Sequence, residues 1–143
     1  MYAKGGIPSS LSRSVARSAY NNSGGTLVKS TPVRLTPTGT ALIDVSDESS
    51  ANAIAGLIKA NIANANVGDI VNSGIIEDIT TSATIGDIMY VSKSGDLTNI
   101  KPSIGVNSFD MGDWVIRVGV IAKNNDNALL KDILVNIQII GEL

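Results

Sequence analysis

The chain holds 19 Ile and 12 Val but one Phe and one Trp, and this imbalance limits its fold more than any motif does. Side chains branched at Cβ lose rotamer freedom in a helix and fit the pleat of a sheet. From Thr26 onward they come in short apolar runs, separated by signals such as Pro37-Thr38-Gly39, Ser73-Gly74, Ser94-Gly95-Asp96 and Asn124-Asn125-Asp126-Asn127. Strands punctuated in this way about every eight to twelve residues are the pattern of a sandwich or barrel. The expected fold is therefore all-β, a small β-barrel or sandwich of about 8–10 short strands. A compact chain of 143 residues buries roughly two-thirds of its unfolded surface, enough for one core.

Three punctuation signals share a form: Gly68-Asp69-Ile70, Gly86-Asp87-Ile88 and Gly112-Asp113-Trp114. Glycine supplies the positive φ of a turn, the aspartate bonds nearby backbone N–H groups, and the apolar residue opens a strand. The chain also repeats itself weakly. Thr31-Pro32-Val33-Arg34-Leu35 up to Gly39 is similar to Gly86-Asp87-Ile88-Met89-Tyr90-Val91 up to Gly95, and Gly56-Leu57-Ile58-Lys59-Ala60-Asn61 matches Gly119-Val120-Ile121-Ala122-Lys123-Asn124. Two pseudo-repeats, 26–77 and 78–143, then make one β-barrel domain from duplicated hairpins.

The repeat bears on one ambiguous stretch. Ile54, Leu57, Ile58 and Ile62 have helical spacing, but Gly56 in mid-helix costs about 1 kcal/mol and its counterpart Gly119 lies inside a buried-strand pattern. Strand is the reading taken. In the last run, Ile133, Val135, Ile137 and Ile139 alternate with Asn136 and Gln138, so one side faces a core and the other faces water or a neighbour.

Residues 1–25 contain six serines and little that can bury area, so they read as an extended basic N-terminal arm. Leu11, Val15 and the stretch from Ser12 to Tyr20 offer two helical turns against a partner, too short to stand alone in water. Charge follows the same division. The chain carries +5 before Asp44 and −7 from Asp44 onward, for a net −2. A basic arm on an acidic body suits electrostatic docking. It does not suit nucleic acid: five cations make a thin footprint, and the acidic body repels phosphate. No apolar run approaches the ~20 residues of a membrane-spanning helix, and the first residues lack the apolar region of a signal peptide. No membrane role is expected, and the chain reads as a soluble protein of the compartment where it is made.

Catalytic constellations are scarce. Without Cys or His there is no thiolate chemistry, no disulfide and no imidazole base or ligand, so neither catalytic residue nor cofactor nor metal is assigned. Asp44, Asp47 and Glu48 cluster, but the spacing of a calcium loop is missing and a solvated turn accounts for them. The pairs Asp110 with Asp113 and Glu77 with Asp78 could serve a glycosidase, yet aromatics, which normally line a sugar cleft, are 3% of the chain. Neither Ser-x-x-Lys nor Gly-x-Ser-x-Gly occurs. Tyr90 and Trp114 read as core or subunit-contact anchors. Arg117, set between Ile116 and Val118, needs a carboxylate partner, a lumen or a subunit interface. These three are the candidate oligomer-interface residues.

The stretch from Thr26 to Leu143, with Lys29-Ser30-Thr31-Pro32-Val33-Arg34-Leu35, Gly86-Asp87-Ile88-Met89-Tyr90-Val91-Ser92-Lys93-Ser94-Gly95-Asp96-Leu97, Lys101-Pro102-Ser103-Ile104-Gly105 and Gly112-Asp113-Trp114-Val115-Ile116-Arg117-Val118-Gly119-Val120, resembles the small β-barrel modules of tailed-bacteriophage virion proteins. Such modules occur in capsid decoration (cement) proteins and in head- or tail-fibre subunits. The resemblance implies a non-enzymatic, homotrimeric module in a virion assembled in the host cytoplasm, with the major capsid protein or other virion proteins as partners. No long repetitive shaft is present, which favours decoration over adhesion. The expected tether is Lys4, Arg13 and Arg17 with Leu11, Val15 and Tyr20, ordering on an acidic, partly apolar shell; weak contacts gain strength from several arms per oligomer. The alternative is a head- or tail-fibre or connector subunit that binds a host glycan.

Overall fold

The computed structural model describes residues 15–143. Among them are nine strands: β1 Val15–Tyr20, β2 Pro32–Thr36, β3 Gly39–Leu42, β4 Ile54–Ile58, β5 Val67–Ile79, β6 Ile88–Val91, β7 Leu97–Thr98, β8 Trp114–Lys123 and β9 Lys131–Glu142. A five-residue helix, α1 Glu48–Asn52, lies between β3 and β4. The fold is all-β, as the composition predicts, and its antiparallel sheet curls into a half-barrel. Hydrogen-bonded neighbours run β3-β2-β4-β5-β9-β8-β6-β7, with β1 added to β5.

That order reads alike from either end. β2 to β5 are connected as β6 to β9 are, and the registers agree in detail. Val33 pairs with Gly56 and Arg34 with Ile54; Met89 pairs with Gly119 and Tyr90 with Arg117, so each set slips by one residue at the same place. Gly56 and Gly119 are also alike in need. A Cβ on Gly56 would stand 2.5 Å from the Val71 carbonyl oxygen, and one on Gly119 would run into that of Leu134. Residues 54–58 are a strand, and Gly56 lets that strand lie close on β5.

β5 is where the sheet divides. Val71 has Ala16 of β1 on one edge and Leu57 of β4 on the other; Ser73 has Val15 of β1 on one edge and Asn136 of β9 on the other. β9 thus takes the edge that β4 leaves. The pairing with β1 skips Asn72, a bulge that turns the side-chain alternation over. Val71 and Ile76, five residues apart, both enter the larger cluster as a result, while Ile70 faces the smaller one. The larger cluster holds Leu57, Val71, Ile76, Phe109, Ile116, Val118, Ile121, Ile133 and Val135, with Ile54 and Ile137 packed against it. The smaller holds Ala19, Leu27, Val33, Ile58, Ile62 and Ile70.

Several local expectations change. Residues 15–20, read within the arm and as helical turns, form a strand, because β5 offers an edge of unpaired amides and Ala19 has a cluster to enter. Gly86-Asp87 and Gly112-Asp113 are turns with positive φ at glycine, but Gly68-Asp69 lies inside β5, where Ile62 packs over Gly68. The acidic cluster at 44–48 is a turn that runs on into α1: Asp44 accepts from the Ser46 amide and hydroxyl, and Asp47 caps the helix by accepting from the Ser49 amide.

The two glycine roles are separable. Gly119→Ala, which forces a methyl against the Leu134 carbonyl, is expected to cost about 3 kcal/mol. Gly112→Ala, with φ +92° and open space around it, is expected to cost about 1 kcal/mol. Urea denaturation of both variants measures the difference.

Candidate assembly surface

Three of the six arm residues, Lys4, Leu11 and Arg13, lie outside the described residues. The other three sit on β1. Alternation puts Val15 and Arg17 on the face of Ala19 and Tyr20 on the opposite one; Val15 is 58% exposed and Tyr20 43%. Besides its ladder with β5, the strand is held at its far end. Asn21, fully buried, donates to the carbonyls of Gly25 and Ile62 and accepts from the amide and hydroxyl of Ser23, while its backbone pairs with Asn66 and Ala65. Thr40 Oγ1 donates to the Tyr20 carbonyl and brings β3 alongside. From Val15 to Ser18 every side chain is exposed.

The three candidate interface residues are placed differently from one another. Tyr90 and Arg117 are directly opposite across β6 and β8, and Gln138 of β9 follows on the far side of Arg117. Tyr90 is 9% exposed, so most of its ring faces protein. Trp114 packs against the larger cluster, and its backbone N–H donates to the Val45 carbonyl. Arg117 is half-buried, and among the described residues no carboxylate pairs with it.

A surface the periodicity did not reveal lies on the outside of the second half. Ile88 is opposite Val120, Val120 is opposite Leu134, and Leu134 is opposite Ile75, so four aliphatic side chains form a row across β6, β8, β9 and β5. Their neighbours along the strands, Met89, Ile121, Ile133 and Ile76, point the other way into the larger cluster. Leu134 is 44% exposed, and Ile140, farther along β9, is 58% exposed. Reading β9 alone marks Asn136 and Gln138 as the wet side; only the cross-strand register shows that Leu134 joins a row.

The carboxylates singled out in the sequence are occupied by local structure. Asp113, 3% exposed, receives the Lys93 ammonium at 2.5 Å and the Asp110 amide at 2.8 Å; Asp110 is 3.7 Å from the same ammonium. Asp78 and Asp132 accept the two-pronged Asn124 amide at 2.6 and 2.9 Å. Among the described residues no group of three or more Asp and Glu is arranged to hold a metal ion. Asp87 accepts from the Asn99 amide and the Thr84 backbone, and these bonds hold its carboxyl below the ordinary 3.8.

The carboxylate of Asp113, bonded to Lys93, holds that ammonium above its ordinary 10.5. A raised lysine adds stability that is complete below 10.5 and lost as pH climbs through the folded value. Lys93→Met, which leaves the buried Asp113 carboxylate without its ammonium, is expected to lower stability at neutral pH. The gap between wild type and variant is expected to hold constant up to 10.5 and narrow above it, as read from denaturant midpoints across a pH series. The chain matches no protein-family model, no curated protein and no solved structure.

Proposed function

We propose that this chain is a non-enzymatic structural protein of a bacteriophage virion, a decoration or cement protein that binds the particle surface through its N-terminal segment and packs against copies of itself. The observation that carries the reading is the aliphatic row Ile88, Val120, Leu134 and Ile75, which lies on the outside of a sheet whose inner face already has its core. Large apolar side chains aligned across four strands on an outer face mark contact surfaces. In this reading the row meets a neighbouring subunit of a homotrimer, and residues upstream of Val15 meet the shell, represented by the major capsid protein or another virion protein. Val15, Arg17 and Tyr20 are exposed where that segment joins the body. The resemblance to virion modules supplies the setting.

Two truncations separate attachment from folding. Removing residues 1–22 also removes Ala19 and Asn21, which are buried. Removing 1–14 leaves them in place. The shorter deletion is expected to keep the cooperative unfolding transition of the full chain and to lose retention on purified particles; occupancy equal to wild type would refute the tether. Leu134→Lys places a charge in the row and is expected to shift the sedimentation of the free protein toward monomer without unfolding it. A wild-type protein that sediments as a monomer at high concentration would count against packing through the row.

A further inference from the structure

An open cleft of about 500 Å³ lies between two tight turns at one end of the second half, within the roughly 300–1,000 Å³ usual for small-molecule sites. One wall is the turn between β6 and β7. Ser92 and Asp96 pair through their backbones, the Asp96 amide bonds Ser92 Oγ at 3.1 Å, and Gly95 has φ +93° with the Ile43 carbonyl close behind it. The other wall is the loop over 105–109. It is closed by the Gly105 amide on the Phe109 carbonyl at 2.8 Å and fastened by Phe109, which is buried in the larger cluster.

Between these fastenings Asn107 and Ser108 both adopt left-handed backbone, with φ +50° and +68°. Each non-glycine residue held there costs about 1–2 kcal/mol, so two in succession are a strain that the surrounding structure maintains. Both line the cleft. Among the described residues, the Asn107 amide and the Ser108 hydroxyl bond to no other group, whereas most polar side chains around them are engaged.

The lining chemistry narrows the ligand. Four hydroxyls (Ser92, Ser94, Thr98 and Ser108), one amide and the Asp96 carboxylate face a space with Leu97 at its side. Lys93 contributes the lone cation of the lining, and it is already committed to Asp113. With Asp96 present the lining has no excess positive charge, so an anion finds nothing to neutralise it. A neutral molecule with several hydroxyls can instead donate to Asp96, exchange bonds with the serines and Thr98, and accept from the Asn107 amide.

We infer that the cleft between residues 92–98 and 105–109 is a binding site for a neutral polyhydroxylated ligand, one or two sugar rings in size, with Asp96 and Asn107 as its principal anchors. The inference does not depend on where the chain works or on the aliphatic row. Phe109 is too deeply buried to offer a stacking face, so recognition rests on hydrogen bonds and the affinity is modest.

The test is a nitrogen-15 NMR titration of the full chain with methyl glucoside, methyl galactoside, N-acetylglucosamine and inorganic phosphate as separate probes. At least one sugar is expected to give saturable shifts at Ser94, Asp96, Thr98, Asn107 and Ser108, and phosphate none there. Asp96→Asn, which keeps the shape but removes the charge, is expected to weaken that sugar about tenfold. Asn107→Gly removes the amide while relieving the backbone, and is expected to weaken it about fivefold with no loss of thermal stability. The site is overturned if no sugar gives saturable shifts in the cleft, if phosphate reproduces them, or if both variants bind as wild type does. Particle retention enters none of these readings, so the attachment proposal can fail while this one stands, and the reverse.

Discussion

The structure depends on one break in backbone pairing, the bulge at Asn72. Without it strict alternation would run the length of β5, and Val71 and Ile76, five residues apart, would point to opposite faces instead of entering the same cluster. With it, the first part of β5 belongs with β4 and β1, and the second belongs with β9. The larger cluster fills the angle where β4 and β9 part, which is why Ile54 and Ile137, at the diverging ends of those strands, both pack against it. A chain with one Phe and one Trp has few bulky rings to fill a core, so it fills this angle with aliphatic side chains from many short strands.

The bulge also explains how two halves with the same pairing come to look different. Leu57 and Val71 occupy the ladder positions of Val120 and Leu134, yet the first pair is buried and the second lies in the outer row. Conversely Ile58 and Ile70 lie in the smaller cluster, whereas Ile121 and Ile133 lie in the larger. The register is repeated and the buried face is exchanged. The first half needs a cover for its second face, and β1, Leu27 and Ile62 provide it. In the second half the outer face carries the aliphatic row, with Leu134 exposed and Ile75, Ile88 and Val120 half-buried.

This division shows what could be read from the chain and what could not. Strand content, the strand over 54–58 and two of the three glycine-aspartate turns follow from local chemistry: β-branched side chains, a glycine that must approach a carbonyl, a carboxylate that must bond an amide. Gly68-Asp69 misleads because Gly68 serves contact with Ile62 and not a turn. The strand over 15–20 was missed because Ala16, Arg17 and Ser18 have no strand pattern of their own; the edge of β5 imposes it. The row through Leu134 was missed for a related reason, since its members are 13 to 59 residues apart and are joined only by register. The cleft likewise joins two turns that are separately unremarkable in sequence.

The way β1 is secured has a mechanical consequence. The strand lies along β5 with the side chains of its upstream end exposed and its downstream end locked by Asn21. A force applied upstream of Val15 and directed along the strand would be shared by all the β1–β5 rungs at once before it reached that lock. The same force applied sideways would open the rungs one after another. Direction of load, more than its size, would therefore set how firmly the body is held by its own first strand.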